Sequence, residues 1–213
     1  MWALQPLLHP CPADSAGPTN ALGARVERRW HSRSLSAKHS RRWARAYTLR
    51  VPERLTHLDP LGGARMVDVT PKEPTHRRAL ARCKVMMAPA TTAKVASNAI
   101  TKGDVLGTAR IAGIQAAKRT AELIPMCHPL LVGAVHVNFT IGDDHVEVEV
   151  EVETVDRTGV EMEALTGCAV AALTIYDMCK SADRGMVIAN LALLEKSGGS
   201  SGSWRRPSDD GLA

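Results

Sequence analysis

Residues 145–155, HVEVEVEVETV, alternate apolar and polar almost without a break, with valines on one side and Glu147, Glu149, Glu151 and Glu153 on the other. A period of two marks a β-strand with one face buried and one face wet, because successive side chains point to opposite faces of a sheet. The preceding AVHVNFTI, residues 134–141, carries the same period, and Gly142-Asp143-Asp144 between the two runs is turn chemistry. The pair reads as a β-hairpin whose valines meet a core and whose glutamates face water or another subunit.

Residues 158–180, TGVEMEALTGCAVAALTIYDMCK, form the longest uninterrupted helical pattern, and charge appears only at its two ends. Thr158 followed by Glu161 predicts a capping box at the start. The body, including Ala164, Gly167, Cys168, Ala171 and Ala172, is too small and apolar all round for a surface helix, which predicts burial against a sheet and a partner. At about 100° per residue, Glu163, Thr166, Asp177 and Lys180 share one sector. Acids near the N-terminus and a lysine near the C-terminus complement the helix dipole, and Asp177 with Lys180 is also readable as an ordinary ion pair. With a rise of about 1.5 Å per residue, Glu163 and Asp177 lie roughly 21 Å apart along one helix. A site that uses both ends must borrow one of them from a second subunit.

The rest of the chain supplies the partners. Residues 76–87 read as a strand with one solvated face, and residues 89–100 as a short helix. Lys102-Gly103-Asp104 makes a loop in which Asp104 caps the next helix. That helix, residues 105–123, is a second small-residue one, ended by Pro125, with Arg110, Lys118 and Arg119 on its polar side; residues 185–194 close as a final strand, and residues 197–213 read as a frayed tail. Strand, helix, hairpin, helix, strand is the β-α-β-β-α-β order of a ferredoxin-like plait. The expected class is α+β, with a four-stranded antiparallel sheet covered by two long helices.

Charge divides the chain. Residues 1–54 hold ten Lys or Arg against three Asp or Glu, a net of +7, which leaves −2 for the remainder of a chain whose total is +5. That basic segment has no sustained apolar period, so it is expected to be a disordered extension before a domain at 55–203, with a flexible tail at 204–213. Its arginines leave two other readings open, an RNA-binding arm or a targeting segment; for the core no nucleic-acid partner is expected. No run approaches 18 apolar residues, so the expectation is a cytoplasmic protein with no membrane contact. The five cysteines show no CxxC spacing, which argues against disulfides and a structural zinc.

Three clusters at element ends are candidates for chemistry: Lys102 before the second helix, Met126-Cys127-His128 after it, and the two ends of the long helix. Cys127 and His128 are not spaced as a metal pair, a plain loop histidine is the commoner outcome for such a residue, and a nucleophilic Cys127 would need a depressed pKa. Lys196 before Ser197-Gly198-Gly199 can reach a phosphate, with the glycines letting backbone N–H groups turn inward.

The motifs LTHLD, MVDV, KGDV, ARIAGIQAAKRT, LIPMCHPL, TGVEMEALT, ALTIYDMCK and KSGG, in this order over about residues 55–203, resemble the molybdenum cofactor biosynthesis protein C family. The resemblance implies a ferredoxin-like subunit in a homohexamer, a trimer of dimers, with active sites between subunits. It implies conversion of (8S)-3',8-cyclo-7,8-dihydroguanosine 5'-triphosphate, made by a radical SAM GTP cyclase, into cyclic pyranopterin monophosphate with release of diphosphate. No redox cofactor and no resident metal are implied; the one ion a triphosphate could bring with it is Mg²⁺. Carried over residue by residue, the catalytic aspartate falls on Asp177 and the essential lysines on Lys102 and Lys180. Substrate contacts fall on Met126, Cys127, His128, Met162 and Glu163, with Glu161, Arg77, Lys72 and Lys196 also at pocket positions. On this reading Asp177 and the two lysines shuttle protons, while Lys196, Arg77 and Lys72 hold the triphosphate. The alternative is a non-catalytic nucleotide-binding regulatory module of the same fold.

Overall fold

The structure, a computed structural model, describes residues 61–207. The basic segment 1–54, the LTHLD motif and the last six residues of the chain lie outside the described residues. The elements are β1 (Thr75–Met86), α1 (Pro89–Ala96), α2 (Val105–Lys118), α3 (Thr120–Leu123), β2 (Ala134–Ile141), β3 (His145–Asp156), α4 (Glu161–Cys179), β4 (Val187–Ser197) and β5 (Trp204–Arg205). The sheet order is β2-β3-β1-β4-β5 and every neighbouring pair is antiparallel. The first four strands with α2 and α4 are the expected plait.

The alternating runs fix which face is buried. Val146, Val148, Val150 and Val152 of β3 and Ala79, Ala81, Cys83 and Val85 of β1 are fully buried, and α4 packs on them while α2 packs on β2 and α4. The opposite face is charged, but its glutamates do not simply face water. Arg78 pairs with Glu151, with Glu195 at 3.3 Å and with Glu153 at 3.8 Å, and Arg82 reaches Glu147 at 3.6 Å. Cations of β1 thus cross the acids of β3, the cross-strand pairing an antiparallel sheet favours.

The partner expected for the long helix is α2. Gly113 and Gly167 meet at the crossing, where a Cβ on either would stand 3.1 Å from the other's carbonyl oxygen. Buried Ala109, Ala117, Ala164 and Ala171 continue the small-residue surface, so the two helices approach as closely as their backbones allow. By length and composition α4 could cross a membrane, but 56% of that stretch is buried inside the protein, as a core helix requires.

Five expectations need correction. The sheet has five strands: Gly198, Gly199 and Gly202, all at positive φ, turn the chain back so that Trp204 and Arg205 pair with Lys196 and Glu195. The Arg206 N–H and guanidinium donate to Leu194 and Leu193 carbonyls at 2.7 and 2.8 Å, so the tail expected to fray at 197 is paired at 204–206. The capping box does not form: α4 begins at Glu161 behind Val160, which has no side-chain cap, and Thr158 and Glu161 line a cavity at that end. The helix expected over 105–123 breaks at Arg119, where the Thr120 hydroxyl donates to the Ala116 and Ala117 carbonyls at 3.3 and 3.1 Å, the local competition that makes threonine a poor interior residue. The final strand runs later than 185–194, with bulges against β1 and Asn190 at φ 57°. The Asp104 cap is as expected: its carboxylate accepts the Gly107 N–H at 2.8 Å.

Candidate active site

The two ends of α4 carry two different clusters of polar side chains. At the C-terminal end, Lys102 from the α1–α2 loop donates to Asp177 Oδ2 at 2.8 Å and to the Asp177 carbonyl at 2.8 Å, while Lys180 donates to Oδ1 at 2.7 Å. Asp177 is 55% exposed. The Lys102 hydrogen bond, then that of Lys180, draws its pKa down to about 2. Asp177 is therefore a fixed anion at working pH, paired with two partly exposed lysines.

At the N-terminal end, α4 meets the 124–130 loop and the lead-in to β1 around a cavity of about 480 Å³. Its apolar wall is Val67, Val69, Ile124, Leu130, Met126 and Met162. Its polar groups are Lys72, Cys127, His128, Thr158, Glu161 and Glu163. The bond of 2.8 Å between His128 Nε2 and the Val67 carbonyl requires Nε2 to donate. That leaves Nδ1 as the acceptor of the neutral ring, and it pins the loop to the lead-in. Lys72 is set by a turn in which its N–H donates to the Val69 carbonyl at 3.0 Å.

Glu163 is only 3% exposed. Burial, with a smaller contribution from Glu161, raises its pKa from 4.5 to about 7. A carboxyl that changes state near neutral pH inside a cavity is suited to general acid–base work. Cys127 goes the other way from a nucleophile: burial first, then the charge of Glu163, pushes its thiol pKa up, so it lines the cavity as a thiol.

A second, polar cavity of about 210 Å³ adjoins the first and shares Lys72, Thr158, Gly159 and Glu161 with it. Arg77, Arg157, Lys196, Ser200 and Ser201 also line it. Arg77 Nε and Nη2 donate to the Asp156 and Arg157 carbonyls at 3.2 Å each, and Lys196 is bonded to the Ser201 hydroxyl. Guanidinium, ammonium and hydroxyl groups together in one cavity are the chemistry that suits an anion.

The family match covers both ends of α4. Residues 66–199 match the MoaC family. The chain belongs to the MoaC family. It is 58% identical over 158 residues to the cyclic pyranopterin monophosphate synthase of Thermomicrobium roseum, covering 73% of this chain and 95% of that protein. It is 55% identical over 154 residues to the synthase of the same name from Heliobacterium modesticaldum, covering 71% and 97%. With that from Streptomyces coelicolor it shares 52% identity over 154 residues, covering 72% and 91%. With MoaC relatives of this identity named as synthases, the chain is an enzyme, and a non-catalytic binding module has no support.

Of the residues singled out from sequence, Lys72, Arg77, Met126, Cys127, His128, Glu161, Met162, Glu163 and Lys196 gather at the N-terminal end of α4. Asp177, Lys102 and Lys180 gather at the other end. Sixteen residues of one helix separate Glu161 from Asp177, roughly 24 Å at the rise of an α-helix, so one chain does not unite them. Sequence reasoning passed over Arg157, Thr158, Ser200 and Ser201 as cavity residues, although Thr158 had been read as a cap; the serine–glycine texture of residues 197–202 was the available signal. Val67 and Val69 left only a two-residue alternation. Among the described residues, no three His, Cys, Asp or Glu side chains cluster as a metal site.

Proposed function

We propose that this chain carries out the cyclic pyranopterin monophosphate synthase reaction of molybdenum cofactor biosynthesis, in a site completed by two copies of the chain. The carrying observation is that the Lys102–Asp177–Lys180 cluster and the cavity around Glu163 and His128 sit at opposite ends of one helix. Exposed Ile111 on α2 and Leu173 on α4 offer apolar surface for a neighbouring copy, in keeping with a homohexamer built as a trimer of dimers.

The substrate is the cyclised GTP derivative 3',8-cyclo-7,8-dihydroguanosine 5'-triphosphate. Its ring system lies in the half-apolar cavity between Met126, Leu130 and Met162. Its triphosphate lies in the polar cavity on Lys72, Arg77, Arg157 and Lys196, which offset the charge of the departing diphosphate. Ring opening and pterin closure move protons, and Glu163, protonated or ionised near neutral pH, gives and takes them at the cavity floor. The Asp177 carboxylate holds Lys102 and Lys180 as proton donors presented by the second copy. A substrate hydroxyl then bonds to the phosphorus nearest the ribose, the bond to the diphosphate oxygen breaks, and the hydroxyl proton passes to a base of the site. No redox cofactor or resident metal takes part, and Mg²⁺ enters only with the triphosphate. The protein works in the cytoplasm, downstream of the radical enzyme that makes its substrate.

The purified protein, given the cyclised GTP derivative, should release diphosphate and yield a pterin fluorescent after oxidation; no diphosphate would end this reading. Mixing inactive Asp177→Asn with inactive His128→Ala chains, with subunit exchange, should restore up to about a quarter of wild-type turnover, because one site in four then receives both intact halves. Absence of rescue in verified mixed oligomers would place the two half-sites in separate functions.

A further inference from the structure

Between β4 and β5 the chain passes through Gly198 and Gly199 at φ +95° and +73°. A Cβ added at Gly199 would collide with Arg77 Nη1 and stand 2.7 Å from Arg77 Cζ. Arg77 Nε and Nη2 are held by the Asp156 and Arg157 carbonyls, so Nη1 is the guanidinium nitrogen that lies against the glycine. Two separate demands fall on position 199. The backbone needs the left-handed region, which asparagine also visits; the guanidinium needs the space of the missing side chain. Gly202 in the same loop makes only the first demand, with φ +64° and nothing within 4 Å of an added Cβ.

We propose that Gly199 is a positioning residue for Arg77: its bare backbone lets the guanidinium lie across the loop, anchored at the end of β3, at the polar cavity. The inference rests on the reading of that cavity as the triphosphate subsite. Displaced by a side chain, the guanidinium loses its two carbonyl anchors and with them the fixed orientation that makes arginine a phosphate clamp.

The test is a double-mutant cycle on the intact oligomer, with kcat and KM measured for the cyclised GTP derivative. Gly199→Asn should lower kcat/KM by about tenfold, mostly through KM, the size of a lost charged hydrogen bond. Gly202→Asn, with the same backbone demand, should stay within about twofold of wild type. In an Arg77→Ala background, Gly199→Asn should cost no more than about a further twofold, since the group it acts through is gone. Should Gly199→Asn fail to fold by its melting transition, Gly199→Ala runs the same cycle. Losses that multiply in the double variant, or an equal loss from Gly202→Asn, would overturn the inference alone. An Arg77→Ala enzyme with wild-type kinetics would remove the triphosphate reading of the cavity and this inference with it.

Discussion

The two ends of α4 each present a carboxylate to the proposed site, and their surroundings drive the two in opposite directions. Glu163 sits at the buried end, where lost hydration lifts its pKa to about 7. Asp177 sits at the open end, where two lysines draw its pKa to about 2. The same functional group is thereby made a proton exchanger at one end and a permanent anion at the other. The difference is set by what touches each carboxyl. Glu163 and Asp177 stand fourteen positions apart on one helix, roughly 21 Å, far enough for the two environments to be set independently.

The largest effect should come from removing the anion. Asp177→Asn, with the oligomer intact, should lower kcat by about a thousandfold or more, since two lysines lose the group that orients them; near-normal product formation would show that this end takes no part. Next comes the exchanger. Glu163→Gln should lower kcat by about a hundredfold and erase the limb of the pH–rate profile centred near 7.

Glu163 also has a stability signature. Its folded pKa is raised, so its contribution is present below its ordinary value of 4.5 and lost as pH rises through about 7. Between those limits the wild-type protein should lose about 3 kcal/mol by denaturant titration, a dependence Glu163→Gln should lack. Asp177 has the opposite sign: whatever it contributes is present above the ordinary carboxylate value and fades as pH falls toward 2.

A third substitution tests the rod that both ends share. Gly113→Val forces a branched side chain against the Gly167 carbonyl and should destabilise by about 2–3 kcal/mol in chemical unfolding. A neutral result would mean the helices are not in contact there. The smallest effect is expected far from either end. Arg82→Ala breaks the pair with Glu147 on the charged sheet face and should change stability by about 1 kcal/mol or less, with turnover unchanged.

The hairpin, both long helices and the order of the plait were legible because strict alternation and small-residue helical runs leave one packing solution each. The Asp104 cap was legible because a capping carboxylate acts on the amide three residues ahead. The Thr158–Glu161 pair has the same local grammar, yet the helix starts without that cap and both residues line a cavity formed by segments distant in sequence. β5 was invisible for a related reason: two residues have no periodicity, and their pairing depends on three glycines bending the chain back. At the site, the residue types and their grouping at helix ends could be read. The pKa of Glu163 could not, because burial of a residue drawn on the same polar stripe as Asp177 is decided by the 124–130 loop and the lead-in.

The nineteen residues of α4 act as a gauge block. Inserting one residue would turn everything beyond it by about 100° and advance it by about 1.5 Å, swinging Asp177 off the lysine that meets it from another loop. Inserting a full turn would restore the facing but lengthen the gauge by about 5.4 Å, spoiling its fit to a neighbouring copy. Substitutions along its interior can be absorbed by repacking; a change in its residue count cannot.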